Sequence, residues 1–300
     1  MSRTLKRPIQ AAPRADHVLQ AIGLMCLYVG LIVFVNAGGK VLTASCHPFQ
    51  VVFFRHFGAF VFLATIFLPR YGWRIMIPRL PALQIARGLF GVVSSFLYFG
   101  ALVTASLTTA AAISFTAPLI VTALSGPLLR EKVGPDRWSA VAAGFLGALI
   151  IIRPGSGEAG NLAALMLVAS AVCTGLYQII TRAVAGHDRA ETTSLWTAMV
   201  SGAAACIAVP FVWTTPASPG VWALSLALGM IGGTGHFLLT MAFERGPASL
   251  LSPFNYLQLI GATITGFALY GALPDLWTWA GAAVIVAAGL YIAFRSRISA

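Results

Sequence analysis

Charged residues are scarce in this chain, and acidic residues are the scarcest of them. Only 9% of the 300 residues are charged and 8 are aspartate or glutamate, whereas 58% are hydrophobic. Soluble globular proteins have about 25% charged and about 45–50% apolar residues. The composition therefore excludes a soluble protein and leaves no polar stretch long enough for an extramembrane enzyme domain. It predicts an all-α integral membrane protein.

Catalytic and metal-binding signatures are also missing. There is no GxSxG, HExxH or P-loop motif and no GxGxxG after a strand, and Cys26, Cys46, Cys173 and Cys206 form no CxxC pair. We therefore expect no enzyme activity, no metal site and no cofactor. The net charge of +11 would suit nucleic acid in a soluble protein. Here the surplus lies in turns on one side, so we read it as a topology signal and expect no nucleic-acid partner.

Apolar segments alternate with short turns along almost the whole chain. A membrane helix needs about 20 predominantly apolar residues, and the turns between the segments contain proline, glycine and charged residues. We predict ten spans, at 18–42, 48–69, 80–101, 107–129, 135–152, 160–182, 191–213, 220–243, 248–271 and 275–294. An even number of spans puts both chain ends on the same side of the membrane.

The basic residues indicate which side this is, because cytoplasmic loops carry an excess of lysine and arginine. If the ten spans are correct, one face has Arg153, with Lys40 close by. The other face has Arg3, Lys6, Arg7, Arg14, Arg70, Arg74, Arg79, Arg130, Lys132, Arg137, Arg182, Arg189, Arg245, Arg295 and Arg297. We therefore predict cytoplasmic N- and C-termini in a bacterial-type inner membrane, with 1–17 and 296–300 as tails.

Four motifs lie close together near the middle of the chain: SFTAPL at 114–119, REKVG at 130–134, GFLG at 144–147 and RPG at 153–155. Together they resemble the EamA repeat of the drug/metabolite transporter superfamily. The first half of the chain fits this repeat well, and the second half fits it more loosely. A shift of 141 residues relates the halves, pairing Gly88 with Gly229 and Trp138 with Trp279.

The resemblance implies a fold and an activity. The fold is ten transmembrane helices arranged as two inverted five-helix EamA repeats, 18–155 and 159–295, around a central cavity. Spans 1, 3, 4, 6, 8 and 9 surround this cavity, and spans 5 and 10 stay outside. Since each repeat has an odd number of spans, the second enters the membrane upside down relative to the first. The implied activity is secondary transport of a small molecule by alternating access, by a monomer or weak homodimer in the lipid bilayer.

Polar residues deep inside the spans are candidates for contact with the substrate. Arg87, Ser94 and Tyr98 share one face of the third span, and Asn255 and Tyr256 follow Pro253, where a broken helix would free backbone ligands. The candidate substrate-binding residues are Asn36, Arg87, Ser94, Tyr98, Ser114, Thr116, Tyr177, His236, Asn255 and Tyr256.

Several of these positions have a second interpretation. The glycines beside them, including Gly229 and Gly233, favour close helix contacts over a cavity. His236 fits a cavity wall and a hydrogen-bonded core histidine equally well. Arg55 and Arg87 each lie about 10 Å from a membrane face, where an arginine can extend to the surface or cap carbonyls. If either faces the cavity, it would suit a substrate carboxylate.

The expected substrate follows from the aromatic, acid-free lining. No aspartate or glutamate lies mid-span, and ion-driven carriers usually need an intramembrane carboxylate. We therefore expect facilitated diffusion or exchange, with His236 as the only proton carrier available. Within the superfamily we favour efflux of aromatic and other neutral amino acids. The alternatives are uptake of S-adenosylmethionine or another metabolite, since the first half is similar to S-adenosylmethionine carriers, and a membrane scaffold or receptor that transports nothing.

Overall fold

The part of the chain that the computed structural model describes is built from helices. It comprises residues 15–129, 135–152, 158–185, 187–246, 251, 254–255, 257–271 and 273–298. The α-helices are α1 (Ala15–Leu42), α2 (Pro48–Tyr71), α3 (Pro81–Ala101), α4 (Leu107–Ser114), α5 (Thr116–Leu129), α6 (Pro135–Ile152), α7 (Glu158–Val184), α8 (Ala190–Ala208), α9 (Pro219–Arg245), α10 (Leu257–Tyr270) and α11 (Leu276–Ile298). Short 3-10 helices cover Trp73–Met76 and Val209–Phe211.

Residues that favour helix starts explain where several of these helices begin. Pro48, Pro81 and Pro219 each lie in the first turn of a helix, where the missing proline N–H is not needed. The Oγ of Ser106 accepts a hydrogen bond from the Thr109 amide at 3.0 Å and so caps α4. The turn chemistry used to place the spans is therefore the chemistry that starts these helices.

Within the described ranges, six helical segments are long and apolar enough to cross a membrane by length and composition. They lie within α1, α2, α3, α7 and α9, and in α8 together with the 3-10 turn that follows it. Shorter apolar helices at Leu107–Val121, Trp138–Ile151, Leu257–Tyr270 and Leu276–Ala288 coincide with the predicted fourth, fifth, ninth and tenth spans. The chain is thus a multi-pass membrane protein, and the count of ten crossings stays a prediction.

Two predicted spans differ from the helices observed. The fourth is divided at Phe115 into α4 and α5, because Pro118 has no N–H to donate to the carbonyl of Ser114. In the ninth, α10 begins at Leu257, nine residues after the predicted start at 248. Residues 247–250, 252–253 and 256 lie outside the described ranges.

The helix contacts have the symmetry expected of two related halves. Helix α1 packs against α9 as α7 packs against α3, and α2 packs against α9 as α8 packs against α3. Helices α2 and α8 contact each other, as do α6 and α11. Exchanging each of these helices for its counterpart five predicted spans away therefore reproduces these six contacts.

Glycines make the closest of these contacts possible. A Cβ added to Gly229 on α9 would lie 2.8 Å from the Cα of Gly58 on α2, and one on Gly147 of α6 would lie 2.8 Å from the carbonyl oxygen of Gly281 on α11. Gly233 likewise faces Ala59. For Gly229 and Gly233, the structure therefore agrees with the helix-contact interpretation.

Segments predicted to lie at the same membrane face, loops and the adjoining helix ends, contact one another. On one face, Lys40 donates hydrogen bonds to the carbonyls of Leu102 and Ala105 in the α3–α4 loop. On the opposite face, Asp188 in the α7–α8 loop accepts from the Arg79 amide at 2.7 Å and from the Gln84 side chain at 3.0 Å. These contacts are consistent with the predicted alternation of the loops.

Candidate functional site

A central cavity lies among helices of both halves. It is lined by Tyr28, Ile32, Asn36, Arg55, His56, Gly91, Ser94, Ser95, Tyr98, Ser114, Phe115, Ala117, Ser170, Thr174, Tyr177, Gln178, Thr197, His236, Leu239, Asn255 and Gln258. The space open to the centres of water molecules is about 140 Å³. Since one water needs about 10–15 Å³ by this measure, the cavity has room for a small metabolite.

Most of the sequence-predicted substrate-binding residues meet at this cavity. The lining includes Asn36, Ser94, Tyr98, Ser114, Tyr177, His236 and Asn255. Arg87 and Thr116 have no exposed surface and are not among the lining residues, so the structure gives no geometric support for their direct contact with a substrate. Tyr256 lies outside the described residues. As the resemblance implied, the described parts of α6 and α11 contribute no lining residue.

Arg87 lies behind the cavity wall and joins α3 to three helices of the second half. Its Nε donates to Thr181 at 2.7 Å, and one terminal nitrogen donates to the carbonyl of Thr193 at 2.9 Å and to the hydroxyl of Thr197. The other donates to the hydroxyls of Tyr177, at 2.9 Å, and Thr240, at 3.4 Å.

These bonds use all five N–H donors of the Arg87 guanidinium. The group also lies over the ring of Tyr177, with its central carbon 4.7 Å from the ring centroid. Arg87 therefore positions the cavity wall and has no donor left for a solute.

Arg55 is the arginine that faces the cavity. Its terminal nitrogens make two hydrogen bonds, with the Oγ of Ser95 at 3.4 Å and the Nε2 of His236 at 3.3 Å. Its Nε has no hydrogen-bond partner, and within the described ranges no carboxylate lies at salt-bridge distance from the guanidinium. Two of five donors are thus used, on a cation that borders open space.

The contact with Arg55 determines the protonation state of His236. An arginine is a donor only, so the contact with Arg55 makes the Nε2 of His236 an acceptor. The ring is then neutral and carries its proton on Nδ1, which donates to the Tyr177 hydroxyl at 3.3 Å. Tyr177 also accepts from Arg87, so its own proton is free to bond a solute. The chain Arg55–His236–Tyr177–Arg87 consequently orders one side of the cavity.

Hydroxyl groups join the halves on the wall formed by α3 and α7. The Oγ of Ser94 bonds the Oγ of Ser170 at 2.9 Å and that of Thr174 at 2.7 Å, and Ser170 donates to the Ser94 carbonyl at 2.9 Å. His56 bonds the hydroxyl of Ser95 at 2.9 Å. These bonds satisfy polar groups that would otherwise be costly in an apolar interior.

Sequence reasoning missed several lining residues. Arg55 was predicted to suit a substrate carboxylate only if it faces the cavity, and Tyr28, His56, Ser95 and Thr174 were not among the predicted binding residues. Tyr28 and Thr174 each lie inside an apolar segment in which polar atoms are rare. The second span, with Arg55 and His56, and the seventh, with Thr197, were not expected to reach the cavity. A systematic list of every tyrosine and threonine inside the spans would have included Tyr28 and Thr174.

The EamA-like transporter family model matches residues 18–153 and, a second time, residues 161–294. The chain belongs to the EamA-like transporter family. The double match supports two related halves in this EamA-like chain, and it makes the chain a membrane transporter.

Curated relatives of this EamA-like chain have several different names. A riboflavin transporter of Rhizobium johnstonii is 32% identical over 78% of this chain and 77% of its own length. An S-adenosylmethionine uptake transporter of Rickettsia bellii is 31% identical over 86% of this chain and 88% of its own. A pseudopaline exporter of Pseudomonas aeruginosa is 27% identical over 84% and 88%.

A solved crystal structure of a protein agrees with the fold. It superposes with a TM-score of 0.67 at 19% identity, covering 95% of this chain and 99% of the other. At this identity the likeness bears on the fold alone. It indicates that an arrangement of this kind has been observed over a whole chain of similar extent.

Proposed function

We propose that the chain is a bacterial inner-membrane carrier that exports neutral amino acids, aromatic ones included, by alternating access of the central cavity. Two inverted repeats, 18–155 and 159–295, alternate around the site, and both termini are cytoplasmic. Transport is facilitated diffusion or exchange. The observation that carries the proposal is Arg55, a cation bordering the cavity with unused N–H donors and no described acidic partner.

A carboxylate is the substrate group that matches Arg55. A guanidinium presents paired donors that fit the two oxygens of a carboxylate, and every amino acid has such a group. The amide oxygens of Asn36 and Asn255, which also line the cavity, are acceptors suited to the ammonium group. The same site therefore satisfies both charges of a zwitterion.

Three tyrosines supply the apolar surface for a side chain. Tyr28, Tyr98 and Tyr177 line the cavity together with Ile32 and Leu239. Aromatic rings contribute about 0.5–1.5 kcal/mol per favourable ring pair beyond the area they bury. This lining favours aromatic and large neutral side chains over small polar ones.

The proposed substrate-binding residues combine the predicted set with what the cavity adds. Arg87 and Thr116 act from behind the wall as positioning residues, and Tyr256 is retained on the sequence pattern alone. The residues proposed to touch the substrate are Tyr28, Asn36, Arg55, Ser94, Tyr98, Ser114, Tyr177, His236, Asn255 and Tyr256.

Riboflavin uptake is the second candidate, because one relative bears that name at 32% identity and the three tyrosines suit a flat ring system. S-adenosylmethionine shares the amino-acid end but adds a positive sulfonium. The described lining contains an arginine and no carboxylate, so it disfavours a second positive charge.

Counterflow into proteoliposomes of purified full-length protein tests the proposal. Liposomes loaded with unlabelled phenylalanine should take up labelled phenylalanine or leucine, and not labelled phenylalaninamide, which lacks the carboxylate. Protein-free liposomes are the control. Exchange of riboflavin or S-adenosylmethionine without exchange of amino acids would overturn the substrate, and absence of exchange for all of them would favour the scaffold or receptor alternative.

A further inference from the structure

A second pocket lies away from the central cavity, where the α2–α3 connection meets the α7–α8 loop. We call it the arginine pocket; its lining includes Arg74, Ile77, Arg79, His187, Asp188 and Arg189. The space open to water centres is about 280 Å³, which is ample for a phosphate group. Because one wall comes from each half of the chain, an occupant would contact both halves.

Asp188, the acidic residue in the pocket lining, is already engaged. Its two carboxylate oxygens accept hydrogen bonds from the Arg79 amide at 2.7 Å and from the Gln84 side chain at 3.0 Å. Nearby, Glu191 lies 3.7 Å from the Nε of Arg189 and accepts from the Tyr71 hydroxyl at 3.4 Å. Both carboxylates therefore have partners within the protein.

The cations exceed these acids. The guanidinium groups of Arg74 and Arg79 make no hydrogen bond or ion pair with the described residues, and Arg189 lies over the Tyr71 ring, 4.8 Å from its centroid. The Nδ1 of His187 is buried and has no hydrogen-bond partner in the same ranges. Arg189 is shared with Glu191 and Glu244, whereas Arg74 and Arg79 have no acidic partner among the described residues. These two guanidinium groups leave the pocket set to receive an anion.

Exposed apolar residues in and beside the pocket are typical of a membrane interface. Trp73 and Ile77, in the short connection between α2 and α3, are 78% and 73% exposed. Tryptophan is enriched at the level of the lipid headgroups. The face that carries this pocket is also the one predicted to be cytoplasmic, where anionic lipids attract basic residues.

We propose that the arginine pocket binds the phosphate group of an anionic phospholipid, with Arg74 and Arg79 contacting the phosphate and Trp73 and Ile77 contacting the lipid beside it. The group recognised is a phosphate. A lipid headgroup and a soluble phosphate ion both carry it. The site is independent of the proposed substrate, because it shares no residue with the central cavity.

The test uses purified, delipidated full-length protein in a neutral detergent. Three probes are compared: phosphatidylglycerol, phosphatidylcholine with the same acyl chains, and sodium phosphate. Retention of lipid is measured by native mass spectrometry, and the midpoint of thermal unfolding is measured in parallel. The pocket variant is Arg74→Gln/Arg79→Gln, and the matched control is Arg70→Gln/Arg245→Gln, which removes the same charge from the same predicted face outside the pocket lining.

We expect phosphatidylglycerol to bind in preference to phosphatidylcholine and to raise the unfolding midpoint. The pocket variant should bind it on the order of tenfold more weakly, and the control should stay within about twofold. If sodium phosphate binds and phosphatidylglycerol does not, the pocket is an anion site whose ligand is a soluble ion. Equal retention of both lipids, or equal losses in both double variants, would overturn the proposal.

A single substitution provides a second test that does not depend on the double variant folding normally. Arg74 is exposed and its side chain has no bonded partner among the described residues, so Arg74→Glu should fold normally. It should lose the phosphatidylglycerol preference while keeping the unfolding midpoint of the lipid-free protein. Retained preference in this well-folded variant would also overturn the proposal.

Discussion

At the scale of single residues, Arg55 is the group in the cavity best able to bind an anion. It has five N–H donors and two hydrogen bonds, and it borders the open space of the cavity. Its charge is not offset by a described carboxylate, so a substrate carboxylate would pair with it and accept from the unused hydrogens of its terminal nitrogens. A charged hydrogen bond of this kind contributes about 1.5–3 kcal/mol.

Arg55→Gln should therefore raise the KM for phenylalanine about tenfold to a hundredfold, because the amide keeps a donor but loses the charge. Arg55→Lys should recover part of the loss. Initial rates of phenylalanine counterflow in proteoliposomes give the KM values. Arg70→Gln, in the last turn of α2 and outside the cavity lining, is the matched control and should leave the KM unchanged. An unchanged KM in Arg55→Gln would remove the carboxylate role.

We expect a different outcome from substitution of Arg87, because its five donors all bond neutral groups of α7, α8 and α9. Arg87→Gln should lower the stability of the protein by at least about 2 kcal/mol, since several buried acceptors lose their donor. Arg87→Lys should not rescue it, because an ammonium cannot reproduce the planar fork. The measurement is the midpoint of thermal unfolding in detergent. A stable, well-folded Arg87→Gln variant would contradict the structural role.

The sequence could not separate these two arginines. Each lies about seven residues from the end of its predicted span, and neither has an acid within its span. Whether such a side chain points into a cavity or into a helix interface depends on the rotation of its helix against several others. Local sequence constrains that rotation weakly when nearly every face of the helix is apolar.

At the scale of elements, glycine decides how closely helices approach. Gly58 on α2 and Gly229 on α9 bring two backbones together, and an added Cβ at Gly229 would lie 2.8 Å from the Cα of Gly58. In a bilayer, helix association depends largely on such close packing, because lipid tails are as apolar as the side chains. Backbone atoms at this distance cannot move aside without separating the helices.

Gly229→Ala should therefore destabilise the protein by about 1–3 kcal/mol through overpacking. Gly30→Ala on α1 is the matched control, since an added Cβ there meets no atom within 4 Å. It should be neutral or slightly stabilising. Thermal unfolding in detergent compares the two variants, and equal midpoints would show that the α2–α9 contact tolerates a larger separation.

The bounds of most helices were predictable because a helix in lipid must pair its own backbone N–H and C=O groups. For α2, α3 and α6, the observed start lies at or within one residue of the predicted one. The break at Phe115, three residues before Pro118, was not predicted. Whether a proline bends a membrane helix or interrupts it depends on which neighbours take over the freed carbonyl, and those neighbours come from other helices.

At the scale of the whole molecule, ten crossings require both chain ends on one side. A reporter fused to the C-terminus and labelling of a cysteine introduced near the N-terminus should both indicate the cytoplasm. A cysteine introduced at Thr214, in the loop after α8, serves as the control for the opposite side. Chain ends on opposite sides of the membrane would contradict an even number of spans. They would also contradict two inverted repeats of five spans each.

Energy coupling is also a property of the whole carrier. The described cavity lining has no carboxylate, and His236 is held neutral between Arg55 and Tyr177. A second proton on His236 would remove the acceptor that bonds the Arg55 guanidinium and would place two cations side by side.

An imposed pH gradient should consequently drive no accumulation of phenylalanine beyond equilibrium in proteoliposomes. The comparison is the internal concentration at steady state with and without the gradient. Collapsing the gradient with an ionophore is the control and should leave the steady state unchanged. Accumulation that requires the gradient would show coupling to protons and would contradict the proposed facilitated diffusion or exchange.

The sequence by itself determined that this is a helical membrane protein, where most of its helices lie, and that its interior is nearly free of acids. These properties are local, because each membrane helix satisfies its own hydrogen bonds and is recognised by its own apolar residues. Only the tertiary structure decided that Arg55 borders the cavity while Arg87 supports the wall, and that two distant loops form the arginine pocket. Those outcomes depend on helix rotation and on contacts between the two halves, which no single segment specifies.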